Sequence, residues 1–194
     1  MQHRNELILF LLAIGGIIIY SRANAMADNS AALPDNTSGQ PDNLTLDTIT
    51  NEVLNVTTGL TRGERNNNPG NLEGGGAWQG LSGSDGPYLV FSSAFYGLRA
   101  LAIDLGSKFH KGLVTVRAII SVYAPPQDNP NGLTAAYISA VSRELGVGPD
   151  TVLNLDNPQA RAAFVTAIVR HENGRVMYAQ GDIQAAVDNA MGLA

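Results

Sequence analysis

The chain has no cysteine, a single tryptophan among 194 residues, and no run of lysine or arginine. Without thiols there are no disulfides, no zinc-thiolate sites and no cysteine nucleophile, and the redox compartment is left open. Aromatic residues make up 6% of the sequence, too few for the stacking platforms that hold single-stranded nucleic acid. Twelve basic against seventeen acidic residues give a formal charge of -5, so no electrostatic grip on nucleic-acid phosphates is expected. Also missing are the G-x-S-x-G elbow, H-E-x-x-H, the P-loop and the dinucleotide fingerprint. The glycines at 74–76 lack the flanking strand and helix of a phosphate loop. His3, His110 and His171 share no ligand spacing, and residues 128–132 depart from EF-hand order, so no metal and no cofactor is expected.

The first feature present is an uninterrupted apolar run at 7–20, LILFLLAIGGIIIY. At about 1.5 Å per residue it falls short of a hydrocarbon core of about 30 Å, which suits a short membrane helix with snorkelling flanks or a signal-peptide core. Ala23-Asn24-Ala25 offers a cleavage pattern, whereas Glu6 offsetting Arg4 and the charge at Arg22 favour a retained anchor. Residues 1–22 are therefore read as an anchor or signal segment. Residues 23–58, small and polar with Pro34, Gly39 and Pro41, read as a flexible tether with one weak helical patch at 46–56. A single domain should fill 59–194.

Within that domain the pattern is helical, so the fold expected is mainly α, or α+β at most, with a small irregular Gly/Asn-rich lobe. Residues 87–91 suggest a short strand. Ser93 should cap a helix with Leu98, Leu101, Ala102, Leu105 and Phe109 on one face. Thr115 opens a second helix, ended by Pro125-Pro126, and Thr134 caps a third that closes at Gly146. Asn157-Pro158 starts the most strongly marked one, with Gly174 just beyond its end, and Asp182 opens the last.

Glu172 lies in the final turn of the Asn157-Pro158 helix. Ile168, Val169 and Val165 precede it by four, three and seven residues, so its carboxylate projects from an apolar face. Desolvation and the negative end of the helix dipole both push its pKa upward. A carboxylic acid that keeps its proton near neutral pH is what glycosidic-bond cleavage needs as a general acid. The plainer alternative is a helix-terminal glutamate paired with Arg170, Arg175 or a distant arginine.

The stretch 61–80 holds asparagines at 66, 67, 68 and 71, a Pro69-Gly70 pair and the only tryptophan, Trp78. Asn68-Pro69-Gly70-Asn71 fits a type II turn with Gly70 at positive φ. Short amide side chains suit sugar hydroxyls or an N-acetyl group, and Trp78 or Tyr88 could offer a flat face to a sugar ring. Alternatively the asparagines satisfy their own backbone. Glu64, between Arg62 and Arg65, is either a surface ion pair or a second active-site carboxylate.

Taken together, RGERNNNPGNL at 62–72, the W-Q-G that follows, F-x5-G-x-R-A-L at 91–101, Y-A-P-P with D-N at 123–129, and A-I-V-R-H-E-N-G at 167–174 resemble a bacteriophage family. Its members are small virion-associated muralytic proteins of the lysozyme-like or lytic transglycosylase type. The resemblance covers about 115 residues. It implies a lysozyme-like helical domain that opens peptidoglycan during host entry, with Glu172 as the acid. Asn67, Asn68, Asn71, Trp78, Tyr88, Tyr123, His171 and Asn173 are its candidate substrate contacts. The ending A-I-V-R-H-E-N-G is also similar to soluble lytic transglycosylases, where Ser normally stands at the position of Asn173. Peptidoglycan glucosaminidases place a Glu shortly before an Asn-Asn segment, which keeps Glu64 as the second catalytic candidate; hydrolysis would need a second carboxylate beside Glu172, with Glu64, Glu73 or Asp85 open to that role. Implied partners are glycan strands, a lipid membrane through residues 7–20 and other virion proteins, not nucleic acid. The competing class is a non-catalytic virion structural protein or glycan-binding module with the same anchor.

Overall fold

The computed structural model describes residues 11–14, 17–20, 58–129 and 131–193. In the apolar run, β1 (Leu11–Ile14) pairs antiparallel with β2 (Ile17–Tyr20), Leu11 opposite Tyr20 and Ile14 opposite Ile17. These residues are extended where the sequence predicts a membrane helix. Consecutive isoleucines favour strands, and the intervening Gly15-Gly16 is a pair suited to a tight connection. Among the described residues no helix is long and apolar enough to cross a membrane. The remainder of the run, the patch at 46–56 and the tether up to residue 57 lie outside the described residues.

Residues 58–193 form a mainly α domain. A helical turn, α1 (Arg62–Arg65), leads into the asparagine segment, and a small hairpin follows, β3 (Leu81–Asp85) against β4 (Tyr88–Phe91). The long α2 (Ala94–His110) then packs chiefly on α6 (Gln180–Ala190) and α5 (Pro158–Asn173). Between them come α3 (Val116–Tyr123) and α4 (Leu133–Leu145), with α4 lying along both α3 and α5. Leu98, Leu101, Ala102 and Leu105 of α2 are buried in one core with Ile119 and Ile120 of α3, Phe164, Val165 and Ile168 of α5, and Ile183 of α6. Fully burying each large side chain stabilises by about 1.5–3 kcal/mol.

Local chemistry sets most boundaries. Thr115 accepts from the Ala118 N–H, and Asn157 from the Ala160 N–H with Pro158 in the first turn; Gly146 and Gly174 close α4 and α5 in the left-handed conformation. The expected Thr134 cap is replaced. Gly132 caps α4, and Thr134, buried inside the first turn, donates its hydroxyl to the Ala124 carbonyl, tying α4 to the end of α3. Helix α6 begins at Gln180, slightly before the predicted Asp182.

The asparagine segment is clamped between α2 and α5. A side chain at Gly97 of α2 would place Cβ 1.9 Å from the Asn67 carbonyl oxygen, so only glycine lets the turn lie against this helix. Asn68 accepts the turn's closing bond from Asn71 N–H at 2.8 Å, but Gly70 is not at positive φ, so the turn is not type II. The left-handed residues are Asn67 and Asn71, at φ 50° and 48°. Gly70 is needed for space: a Cβ there would meet the Tyr123 hydroxyl at 2.9 Å and Leu101 methyl carbons at 3.0 Å.

Candidate active site

The end of α5 brings Glu172 against the asparagine turn. Its Oε2 accepts from Asn71 Nδ2 at 2.9 Å, and its Oε1 accepts from the Tyr137 hydroxyl of α4 at 2.7 Å. Both donors are neutral. The arginines that could have neutralised the carboxylate are engaged elsewhere, Arg170 with Glu144 at 2.9 Å and Arg175 with Glu64 at 2.8 Å. Burial is the main influence on the Glu172 carboxyl and raises its pKa. The Tyr137 and Asn71 hydrogen bonds pull the other way without cancelling the rise, and the charge of Glu73 adds to it. The residue as a whole is only partly buried, so a ligand can still approach it.

Three aromatic rings brace this carboxyl. His171 stacks on Tyr137 with ring centroids 3.6 Å apart and planes 21° from parallel, and Tyr123 meets Tyr137 edge-on at 6.3 Å. The Tyr123 hydroxyl donates to the Gly70 carbonyl, which fixes the turn on which Asn71 sits. Desolvation lowers the His171 pKa and so favours the neutral ring. The same desolvation, reinforced by the Glu172 charge, pushes both tyrosine hydroxyls well above their ordinary value, so they stay donors.

The asparagines divide by role. Asn68 is fully buried; its Nδ2 donates to the Leu72 and Leu89 carbonyls at 2.9 Å each, and its Oδ1 accepts from the Leu72 N–H, which leaves nothing for a sugar. Asn67 donates to the Phe91 carbonyl and Asn66 to Asp85, so both stitch the turn to the hairpin. Asn173 is buried, donating to the Pro69 and Val169 carbonyls and accepting from the Thr61 hydroxyl at 2.5 Å. Of the candidate substrate asparagines, Asn71 alone has its amide on the acid. Trp78 packs partly buried against the core with its indole N–H turned inward, and Tyr88 lies beneath the Arg62 guanidinium at 4.3 Å.

Glu64 is in an ion pair, with the distant Arg175 and not with its neighbours Arg62 and Arg65. It belongs to α1, closes a capping box with Thr61, and forks onto Arg175 through both oxygens at 2.8 Å. Burial alone would raise its pKa, but Arg175 and the Thr61 N–H outweigh that and hold it below the ordinary range. A carboxylate so held is a poor proton donor.

One member of the site was not among the sequence candidates. Tyr137 reads from sequence as a core residue, yet a buried phenol needs a hydrogen-bond partner, and a glutamate on an apolar face needs a donor. Those two needs were the available signal. Glu73, one of the carboxylates the sequence offers for a second role, is exposed just after the turn and bridged to Tyr88 through the backbone, and its charge acts on Glu172. No family model matches this chain, and no curated protein sequence shows significant similarity to it.

Proposed function

We propose that this chain is a peptidoglycan-cleaving glycosidase or lytic transglycosylase with a lysozyme-like domain, carried by a phage virion and acting on the MurNAc-GlcNAc linkage during entry. The observation that carries the proposal is the Glu172 carboxyl, held between two neutral donors with no cation at ion-pair distance among the described residues. Such a group holds its proton to higher pH than an ordinary glutamate and can give it to a glycosidic oxygen as the C1–O bond breaks. The resulting carboxylate then takes the proton of the muramic 6-hydroxyl as that oxygen bonds C1, so one residue serves both steps of transglycosylation. Hydrolysis needs a second carboxylate to activate water, and Glu73 is the acidic group that faces Glu172. The apolar run at 7–20 and the tether that follows would hold the domain at a membrane, free to reach the wall.

Incubating the full-length protein, in detergent, with purified peptidoglycan and analysing the soluble products by mass spectrometry tests the proposal. Release of 1,6-anhydro or reducing-end muropeptides, abolished by Glu172→Gln, is the expected result. Binding without any product would assign the chain to the glycan-binding class instead.

A further inference from the structure

The Asn71 carboxamide is only half satisfied. Nδ2 serves Glu172, whereas Oδ1 is buried and has no hydrogen-bond partner among the described residues. The space in front of that oxygen is defined by Gly63 of α1. A Cβ on Gly63 would lie 3.1 Å from Asn71 Oδ1 and 2.6 Å from Asn173 Oδ1, so both oxygens border the space that glycine leaves, and only that of Asn173 has a donor, the Thr61 hydroxyl. Asn173 cannot turn to relieve this, because its Nδ2 is committed to the Pro69 and Val169 carbonyls and its Oδ1 to Thr61. Asn71 can. Its amide is the mobile partner, on a backbone at φ 48° that Asn tolerates better than most residues.

We propose that Asn71 is a positioning residue whose carboxamide inverts with the protonation state of Glu172, offering Nδ2 to the carboxylate and Oδ1 to the acid. This deepens the enzymatic reading above and rests on it for its catalytic meaning. With Glu172 ionised, the amide donates to Oε2 and leaves its own oxygen without a partner. With Glu172 protonated, inversion lets Asn71 Oδ1 accept the acid proton and puts Nδ2, a donor, where the unpaired oxygen had been, so the one orphaned acceptor is satisfied. Leaving a buried polar atom unpaired costs about 1–3 kcal/mol, and this cost falls on the ionised form alone. The buried oxygen of Asn71 therefore favours the acid and aims its proton along Oε2. Glu73, Tyr88, Tyr123, Tyr137 and the neighbouring His171 are the other titratable groups around Glu172.

The test needs no substrate, so it can fail while the muropeptide assay succeeds, and the reverse. Isotope-labelled full-length protein in detergent micelles is followed by NMR while Glu172 titrates. The Asn71 side-chain NH2 protons should show nuclear Overhauser contacts to the Glu172 side chain above the titration and to the Gly63 α-protons below it. An unchanged contact pattern across the titration overturns the proposal. In parallel, Asn71→Asp, which puts a second negative oxygen on the acid, should displace the Glu172 titration upward by at least about one pH unit, about a tenfold change in the proton equilibrium. A Glu172 titration unmoved in folded Asn71→Asp would likewise contradict it.

Discussion

Two carboxylates stand on either side of the Thr61–Asn173 contact, and the partners they are given differ in kind. Glu64 closes α1 onto Thr61 and faces a guanidinium, whereas Glu172 closes α5 onto the asparagine turn and faces a phenol and an amide. Thr61 and Asn173 join the two regions. Both groups are partly desolvated, yet one is held below the ordinary glutamate range and the other above it. Burial alone does not make an acid; withholding the cation does. Paired groups whose environments drive their pKa values apart are a recurring way of separating a proton donor from a structural anion.

The sharpest way to break this contrast is to neutralise each carboxylate in turn. Glu172→Gln should lower muropeptide release by about 100-fold or more, the usual contribution of a general acid. Glu64→Gln should leave the rate per folded molecule within a few-fold, as read by the same product assay normalised to folded protein. If the two outcomes exchange places, so do the two roles.

Next in size is the seat of the turn. Gly97→Ala drives a methyl into the Asn67 carbonyl and should cost about 1–3 kcal/mol in denaturant unfolding, with loss of activity because Asn71 no longer meets Glu172. Smaller again, Glu64→Ala removes the capping box and should cost about 1 kcal/mol by the same measurement.

The smallest effects are pH slopes of opposite sign. Glu64 has a depressed folded-state pKa, so its stabilisation is present above the ordinary carboxylate range and is lost as the pH falls through the folded value. Glu172 has a raised one, so the folded state is favoured while Glu172 is protonated and loses stability as the pH climbs from the ordinary range through its folded value. Thermal melts of Glu172→Gln should therefore exceed the parent at neutral pH, with the gap closing in acid. Gln fits the site, its oxygen accepting from the Tyr137 hydroxyl and its amide donating to the inverted Asn71 oxygen.

Much of the scaffold was legible because it is written locally. Thr115, Asn157-Pro158, Gly146 and Gly174 carry their boundary signals within one turn, and the three-four spacing that put Glu172 on the apolar face needed no partner to be known. What escaped depends on contacts far apart in sequence. Glu64 meets Arg175 across 111 residues and Glu172 meets Tyr137 across 35. Strand β3, LSGSD, is exposed along most of its length and is defined by its pairing with β4, so no periodicity marks it. The asparagines look like open ligands in sequence, but Asn68 and Asn173 are enclosed by main-chain carbonyls that only the folded turn brings together.

The most direct measurement is the carboxyl-carbon NMR titration of Glu64 and Glu172 in one labelled sample of the full-length protein. The account predicts Glu172 titrating above the ordinary glutamate range and Glu64 below it. Coincident titrations, or Glu64 as the higher of the two, would contradict it.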